Sequence, residues 1–446
     1  QGCTPSRAEG VEDQAVKSIS HAAGGFSVSV FIYCKDPQRH KKPQSLLADQ
    51  ENVVIIMKEK LIRAAAFVLN GFYSLFKLLP VQKKITYISR QSNSLSVDYQ
   101  LVIREMSRRH PEYQNVTLIR MIGKGFREKL GYCFHMIRQM YHVATSEIVV
   151  LDTYCIVVSL LNQRRSLTVI QMWHALGAMK KFGYSILDKG EGTDSSMAKA
   201  MRMHRNYTYV FTSSEFCSRY FAEAFHVTMD QMVVMPLPRL DLLHDEEYVR
   251  GIKEKIFERY PCLCTGEKRT IVYAPTFRKD GGDFEEEELK RAAEQLAGAV
   301  DFERYNLVMK FHPLSQITLE HEGTIVDTEF STIDFCQVAD AIVLDYSAVV
   351  FEASMLGKPM YFYTFDYDSY MRNRDVYIDF RKYIPGIMSE DAESLMSAID
   401  SGASDTARLE KFRDLMISRP KSESYTCDIA DFFERVLHEK SEKERQ

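Results

Sequence analysis

Apolar and polar positions along this chain fall into two long series built the same way. From residue 85 on, short apolar runs rich in β-branched residues stand at 85–89, 116–121, 147–151, 167–172 and 207–212. Longer stretches of helical spacing separate them, most clearly 97–109, where Leu101 and Met106 share a face, and 127–143. A second series begins near Thr270, with apolar runs at 270–274, 307–311, 324–326, 341–344 and 359–363, and helical spacing at 284–296, 332–338 and 348–356. Residues 241–261 join the two, and Ile429, Phe432, Phe433 and Val436 predict a closing amphipathic helix over 429–437. Strands that are apolar throughout, each followed by an amphipathic helix, predict a parallel sheet covered on both faces. The pattern therefore predicts an α/β protein of two Rossmann-like, doubly wound lobes facing a cleft, 85–240 and 241–446. Ligands of such sheets sit beyond the carboxyl ends of the strands, so chemistry is expected just after each apolar run.

Ahead of the first series, 57–84 has a different character. Its centre, 64–76, is thirteen residues without a charge and holds Phe67, Val68, Leu69, Phe72, Tyr73, Leu75 and Phe76. Lys58, Lys60, Arg63, Lys77, Lys83 and Lys84 flank it against the single acid Glu59. An apolar helix with basic ends suits an interfacial anchor on an anionic membrane surface, and the alternative is a helix buried in the core. Residues 1–56 carry little periodicity beyond a possible strand at 26–34 and lack the order of a signal peptide; they read as an unassigned leader, with Met57 as a natural start.

Composition narrows the class. Over 446 residues, 45% hydrophobic and 26% charged positions exclude intrinsic disorder. A net charge of −4 argues against a nucleic-acid partner that works through a globally basic surface. No run reaches the length of a spanning helix. Nine cysteines, with Cys262 and Cys264 as the one close pair, form no zinc pattern and fit a reducing compartment, so no metal site is expected.

Candidate chemistry lies where the strand ends are predicted. TIVYAPTFR, 270–278, carries Thr276 and Arg278 beyond its run, and a polar, Gly-containing loop at 279–283 follows. LVMKFHP, 307–313, delivers Lys310 and His312. AIVLDYSAVVFE, 341–352, passes from strand to helix at Asp345, Tyr346 and Ser347, where backbone N–H groups and a capping hydroxyl suit a phosphate. Taken singly, these are ordinary turn and cap residues; together they place cations and a helix start at one edge, as a diphosphate site requires. In the first lobe, VIQMWHALGAMKKFG, 169–183, puts the sole tryptophan, Trp173, and His174 at a strand end, followed by Lys180 and Lys181. A histidine there suits a general base, and the plainer reading is a ring packed against its tryptophan. Arg104, Arg108, Arg109, Arg120, Lys124, Arg127, Lys129 and Arg138 outnumber the acids of 101–146, as a surface for an anionic acceptor or a solvated face would. No Walker A, GxGxxG or GxSxG sequence occurs.

WHALGAMKKFG around His174, YAPTFR at 273–278, KFHP at 310–313, DYSAVVFEASMLGKPMYFY at 345–363 and FDYDSYMRNRDVYIDF at 365–380 together resemble the CDP-glycerol glycerophosphotransferases of bacterial teichoic-acid synthesis. The resemblance covers about 57–437. It implies a GT-B fold, peripheral attachment to the cytoplasmic face of the membrane, no required metal or other cofactor, and transfer of glycerol phosphate from CDP-glycerol to a hydroxyl of a lipid-linked polyprenyl-diphosphate acceptor, releasing CMP. Carried over by motif, it makes His174 the base and His312 a catalytic ligand of the donor phosphate. Arg278, Lys310, Asp345, Ser347 and Thr276 become donor-binding residues, and Glu352 lies near the nucleotide. This chain has Ala175, Leu176 and Gly177 where many members have Gly-Thr-Pro, and Ala348 where many have a second Ser. These departures bear on acceptor preference and one donor contact. The family also contains priming, polymerising and ribitol-using members. Two other readings stay open: a GT-B glycosyltransferase that uses a nucleotide sugar, and a non-catalytic, membrane-peripheral binding protein.

Overall fold

The computed structural model describes the backbone of residues 44–123, 125–189, 192–278 and 282–445, and side chains within these except at 44–56, 282–285 and 443–445. The 26–34 strand, Lys124 and most of the 279–283 loop lie outside the described residues. Two parallel sheets form the frame. The first contains β1 Gln82–Ser89, β2 Gln114–Ile119, β3 Ser146–Leu151, β4 Thr168–Gln171, β5 Tyr209–Thr212 and β6 Met232–Val234, in the order β2-β1-β3-β4-β5-β6. The second contains β7 Arg269–Ala274, β8 Tyr305–Met309, β9 Thr324–Val326, β10 Ala341–Leu344, β11 Met360–Tyr363 and β12 Ile387–Ser389, in the order β12-β11-β10-β7-β8-β9. Every pairing is parallel, as the uniformly apolar runs require, and Val149, Val150, Leu151, Val272 and Leu307 are fully buried between covering layers.

The strand order sets where function sits. In the second lobe the winding reverses between β7 and β10, which are paired from Ala341–Ile271 to Leu344–Ala274. In the first it reverses between β1 and β3. Crevices open at such switch points, beyond the carboxyl ends of the strands.

The structure departs from the sequence reading in three places. The short edge strands β6 and β12 lie outside the expected runs. The closing helix, Tyr425–Arg445, belongs to the first lobe by contact rather than to the second. Its Phe432 packs edge-on against Tyr209 at 5.1 Å and Phe211 at 5.4 Å, Asp431 pairs with Arg109 at 2.5 Å, and Glu434 meets His110 at 3.0 Å. An apolar stripe needs a cover, and the first sheet supplies it.

The third departure concerns the first helix, which runs Gln44–Phe76 rather than 57–84. The chain then enters β1 at Gln82, and Lys84 is fully buried, donating to Thr145 Oγ1 at 2.5 Å, so it is no part of a basic flank. The helix is two-faced. Tyr73 is fully buried and donates to Gln163 at 2.5 Å, while Phe67, Val68, Phe72 and Leu75 are each more than half exposed. Among the described residues no helix is long and apolar enough to cross a membrane.

Candidate active site

The first-lobe half of the site is built by a strained turn. β4 ends at Gln171, whose Oε1 accepts the Trp173 N–H at 3.0 Å while its Nε2 donates to the Thr153 carbonyl and to Tyr207. Trp173 then takes a left-handed backbone, φ 59°, a conformation that costs a bulky residue ~1–3 kcal/mol unless its surroundings hold it. They do: its indole stacks on Phe182 at 5.0 Å and meets Phe225 edge-on at 5.0 Å. The reversal swings His174 over Asp152, with the imidazole 4.2 Å from the indole.

His174 Nδ1 lies 2.9 Å from the carbonyl oxygen of Asp152. A carbonyl only accepts, so Nδ1 carries the proton and Nε2 presents a lone pair. Burial, opposed by the bond to the Asp152 carbonyl and reinforced by the charge of Arg239, holds the ring's pKa down to about 4. The imidazole is therefore neutral at pH 7 and shaped as a base. Asp152 itself stands just beyond β3, at the first lobe's switch point; burial raises its carboxyl to about 6, and among the described residues its Oδ1 is buried without a partner. Sequence reading passed over Asp152, although its place after an apolar run was the available signal.

Across the molecule, His312 follows β8 with the opposite polarity. Its Nδ1 accepts the N–H of Leu314 at 3.1 Å, so the neutral ring carries its proton on Nε2 and acts as a donor. The ring is exposed, stacks on Phe277 at 5.1 Å, and burial of its inner edge lowers its pKa. Ser347, beyond β10, is part exposed and accepts the Val349 N–H at 3.4 Å. The helix after it is the short Val350–Ser354 with Val349 at its start, so Ser347 is not the helix cap that the sequence suggested.

The other predicted ligands are already engaged. Asp345 is fully buried and accepts the Thr276 N–H at 2.8 Å, the Thr276 hydroxyl at 2.6 Å and Arg278 Nη1 at 2.9 Å. Arg278 also pairs with Asp366 at 2.9 Å and lies over the rings of Tyr346, Phe365 and Tyr370. Tyr346 donates to Asp366 at 3.0 Å and stacks on Tyr370 at 3.6 Å. Thr276, Arg278 and Asp345 thus form a closed network that shapes the switch point, rather than a set of groups aimed at a ligand. Lys310 points the other way, beneath the sheet edge, where it pairs with Asp327 and donates to the carbonyls of Asp327 and Phe330. Glu352 pairs with Arg239 at 3.2 Å instead of facing an open nucleotide site. In each case a buried charge has found its counter-charge within the chain, as burial demands.

Residues outside the predicted set also join the lobes. Arg239, in the Pro238–Leu243 turn, donates to the His174 carbonyl at 2.6 Å, meets Asp98 of the first lobe at 3.2 Å and meets Glu352 of the second. Lys180 bridges to Val376 in antiparallel fashion, and this short pairing is extended by Lys181 N–H to Asp375 O at 2.9 Å and Tyr377 N–H to Met179 O at 2.9 Å. Gly177 permits the approach, since a Cβ there would stand 2.2 Å from the Phe351 ring. Among the described residues, no cluster of His, Cys, Asp and Glu is placed to hold a metal ion.

A family model described as CDP-Glycerol:Poly(glycerophosphate) glycerophosphotransferase matches residues 72–422, nearly the whole of both lobes. The chain belongs to this family. The glycerophosphotransferase relatives include the teichoic acid ribitol-phosphate primase of Bacillus spizizenii, 33% identical over 85% of this chain and 99% of that protein. The teichoic acid glycerol-phosphate primase of Bacillus subtilis is 31% identical over 60% of this chain and 68% of its own length. The solved structure of the wall teichoic acid polymerase TagF matches with a TM-score of 0.64 at 19% identity, over 87% of this chain and 98% of that one, which establishes the GT-B-like fold. The glycerophosphotransferase assignment makes the chain a transferase of the teichoic-acid type, and family membership covers glycerol- and ribitol-phosphate enzymes alike.

Proposed function

We propose that this protein transfers a polyol phosphate, glycerol phosphate in the first instance, from a CDP-linked donor to a hydroxyl of a lipid-linked teichoic-acid acceptor, releasing CMP. The observation that carries the reading is the opposed pair of histidines, His174 with a lone pair on Nε2 and His312 with a proton on Nε2, each at a strand's carboxyl end. In the reaction the acceptor hydroxyl oxygen bonds to the phosphorus that bears the polyol, the bond from that phosphorus to the CMP oxygen breaks, and the hydroxyl proton passes to His174 Nε2. His312 Nε2–H and the Ser347 hydroxyl donate to phosphoryl oxygens as charge shifts toward the leaving CMP. The reading calls for no metal or organic cofactor, so activity that survives EDTA is expected. It also places the protein at the cytoplasmic face of the membrane, where a lipid-linked acceptor is met. The exposed apolar face of Gln44–Phe76 supports this, together with Phe126, Leu130, Phe134 and Ile137 on the neighbouring helix Phe126–Thr145.

A second donor, CDP-ribitol, is favoured by one observation: the relative matched over 99% of its length is a ribitol-phosphate primase. Incubation with CDP-glycerol and CDP-ribitol in parallel, with a lipid-diphosphate acceptor analogue, distinguishes them by CMP release and the acceptor's mass gain. The number of units added separates priming from polymerisation. CMP release from neither donor overturns the proposal and leaves the family and fold.

A further inference from the structure

Arg278 was the expected cation of the donor site, yet Asp345 and Asp366 already neutralise it, and the three together carry one excess negative charge at the crevice. A diphosphate entering there meets a local field of its own sign unless further cations face it. Two stand over the Tyr370 ring: Arg374 of the second lobe, 5.9 Å from its centre, and Lys180 of the first. Lys180 leaves the first lobe at the Val376 bridge and lies with its ammonium 5.5 Å from the centre of the Tyr370 ring, which stacks on Tyr346 next to Asp345. Among the described residues its Nζ has neither a hydrogen bond nor an ion pair, although the side chain is part buried. A long cationic side chain held against an aromatic wall without a directly paired anion is poised for one supplied from outside.

We propose that Lys180 is a ligand of the donor's phosphates, delivered from the acceptor lobe, so that the nucleoside-diphosphate site is complete only when the 179–181 and 375–377 segments are paired. The inference rests on the CDP-linked donor reading above and adds to it a cation that the first lobe supplies. Burial lowers the Lys180 pKa to about 8, Asp345 opposes this and the charges of Arg374 and Arg278 add to it, so the ammonium stays mostly charged at neutral pH. The placement also links donor binding to lobe geometry, because the lysine reaches the second lobe's crevice only through the pairing with Val376.

The test measures CDP-glycerol, CDP-ribitol, CDP and cytidine binding to the full chain, wild type and Lys180→Met. Loss of the ammonium is expected to weaken the three phosphate-bearing ligands about tenfold or more, and to leave cytidine within about twofold, because only the phosphates lose a charge-assisted partner. Lys180→Arg is expected to recover most of the affinity. In wild-type protein, CDP is expected to shield Lys180 from acetylation, read by mass spectrometry, and cytidine is not; this measurement holds even if Lys180→Met fails to fold. Unchanged CDP affinity in a folded Lys180→Met protein, or no shielding by CDP, overturns the inference and makes Lys180 a neutraliser of the carboxylates. Wild-type protein that binds none of the cytidine nucleotides overturns the donor reading itself, a result distinct from the other two.

Discussion

The imidazole of His174 stands 2.9 Å from the main-chain oxygen of Asp152, and that single contact decides which ring nitrogen is free to take a proton. A backbone carbonyl cannot rotate away or change charge, so the tautomer is fixed more firmly than a carboxylate would fix it. Replacing His174 by Ala is expected to lower turnover by ~10²–10⁴ with donor affinity retained, because a general base is lost and no phosphate contact is. CMP release and equilibrium CDP-glycerol binding check the two halves separately.

The low pKa of His174 sets a pH dependence with a definite sign. The ring takes its proton at about 4 in the folded protein, below its ordinary value near 6.5. The acid limb of kcat/KM for the free enzyme is therefore expected near pH 4 rather than near 6.5. For stability, the unfolded chain binds this proton first as pH falls. The contribution of His174 is complete above about pH 6.5 and is lost as pH falls toward 4. Urea titrations of wild type and His174→Gln at pH 7 and pH 5 should show the wild type losing more stability between them.

Arg239 couples the His174 segment to both lobes. It holds the His174 carbonyl, and its charge helps keep the imidazole unprotonated. Arg239→Met is expected to lower kcat more than it raises KM, and to move the acid limb upward as the neighbouring positive charge disappears. It also leaves Asp98 and Glu352 without their partner, a loss at the lower end of ~3–5 kcal/mol because the guanidinium remains part exposed. A variant that melts early but keeps the wild-type pH profile would reduce Arg239 to a brace.

Lys310 and Arg278 are predicted to behave as structure rather than as ligands. Each sits in a buried ion pair, with Asp327 and with Asp345 and Asp366 respectively. Removing one partner strands a buried charge, so Lys310→Met and Arg278→Met should each cost ~3–5 kcal/mol in denaturant unfolding. Lys310→Met, where it folds, should leave the donor KM within about threefold of wild type, since uniform binding is untouched. A large rise in KM without loss of stability would return Lys310 to the donor site.

Why the sequence was legible in part follows from these same residues. The uniformly apolar runs announced the parallel sheets, because a strand buried on both faces has no polar side to hide, and β9 and β10 fall where the runs do. His174 and His312 were singled out because strand ends in such sheets are where ligands bind. What a linear reading could not supply was pairing. Lys310-Phe-His312 looks like two ligands side by side, but the strand ends at Met309, and beyond it the lysine turns to Asp327 while the histidine stays exposed. Arg278 and Asp345, far apart in sequence, cancel each other, while Arg239 and Lys180 gain their meaning only from the opposite lobe. Charge on its own marks a position; its function depends on the counter-charge, which only the fold reveals.

The two-faced first helix yields the last prediction. Phe67 and Phe72 are 81% and 54% exposed, whereas Tyr73 on the inner face is fully buried. Phe134, on the neighbouring helix, is also exposed, at 66%. Outer-face changes should therefore leave the fold intact, and inner-face changes should not. Phe67→Asp combined with Phe72→Asp is expected to abolish co-sedimentation with vesicles rich in anionic lipid, with melting temperature and turnover of a short, soluble acceptor unchanged, because interfacial binding scales with buried apolar area. Phe134→Asp should weaken it further in partial combinations. Lys58, Lys60 and Arg63 add an electrostatic part worth ~1 kcal/mol each near such a surface, so binding should also fall as salt rises. Tyr73→Asp, in contrast, should unfold the contact with Gln163 and lower stability whether or not vesicles are present. Vesicle binding that survives the paired Phe67 and Phe72 change would mean that this face covers something other than lipid.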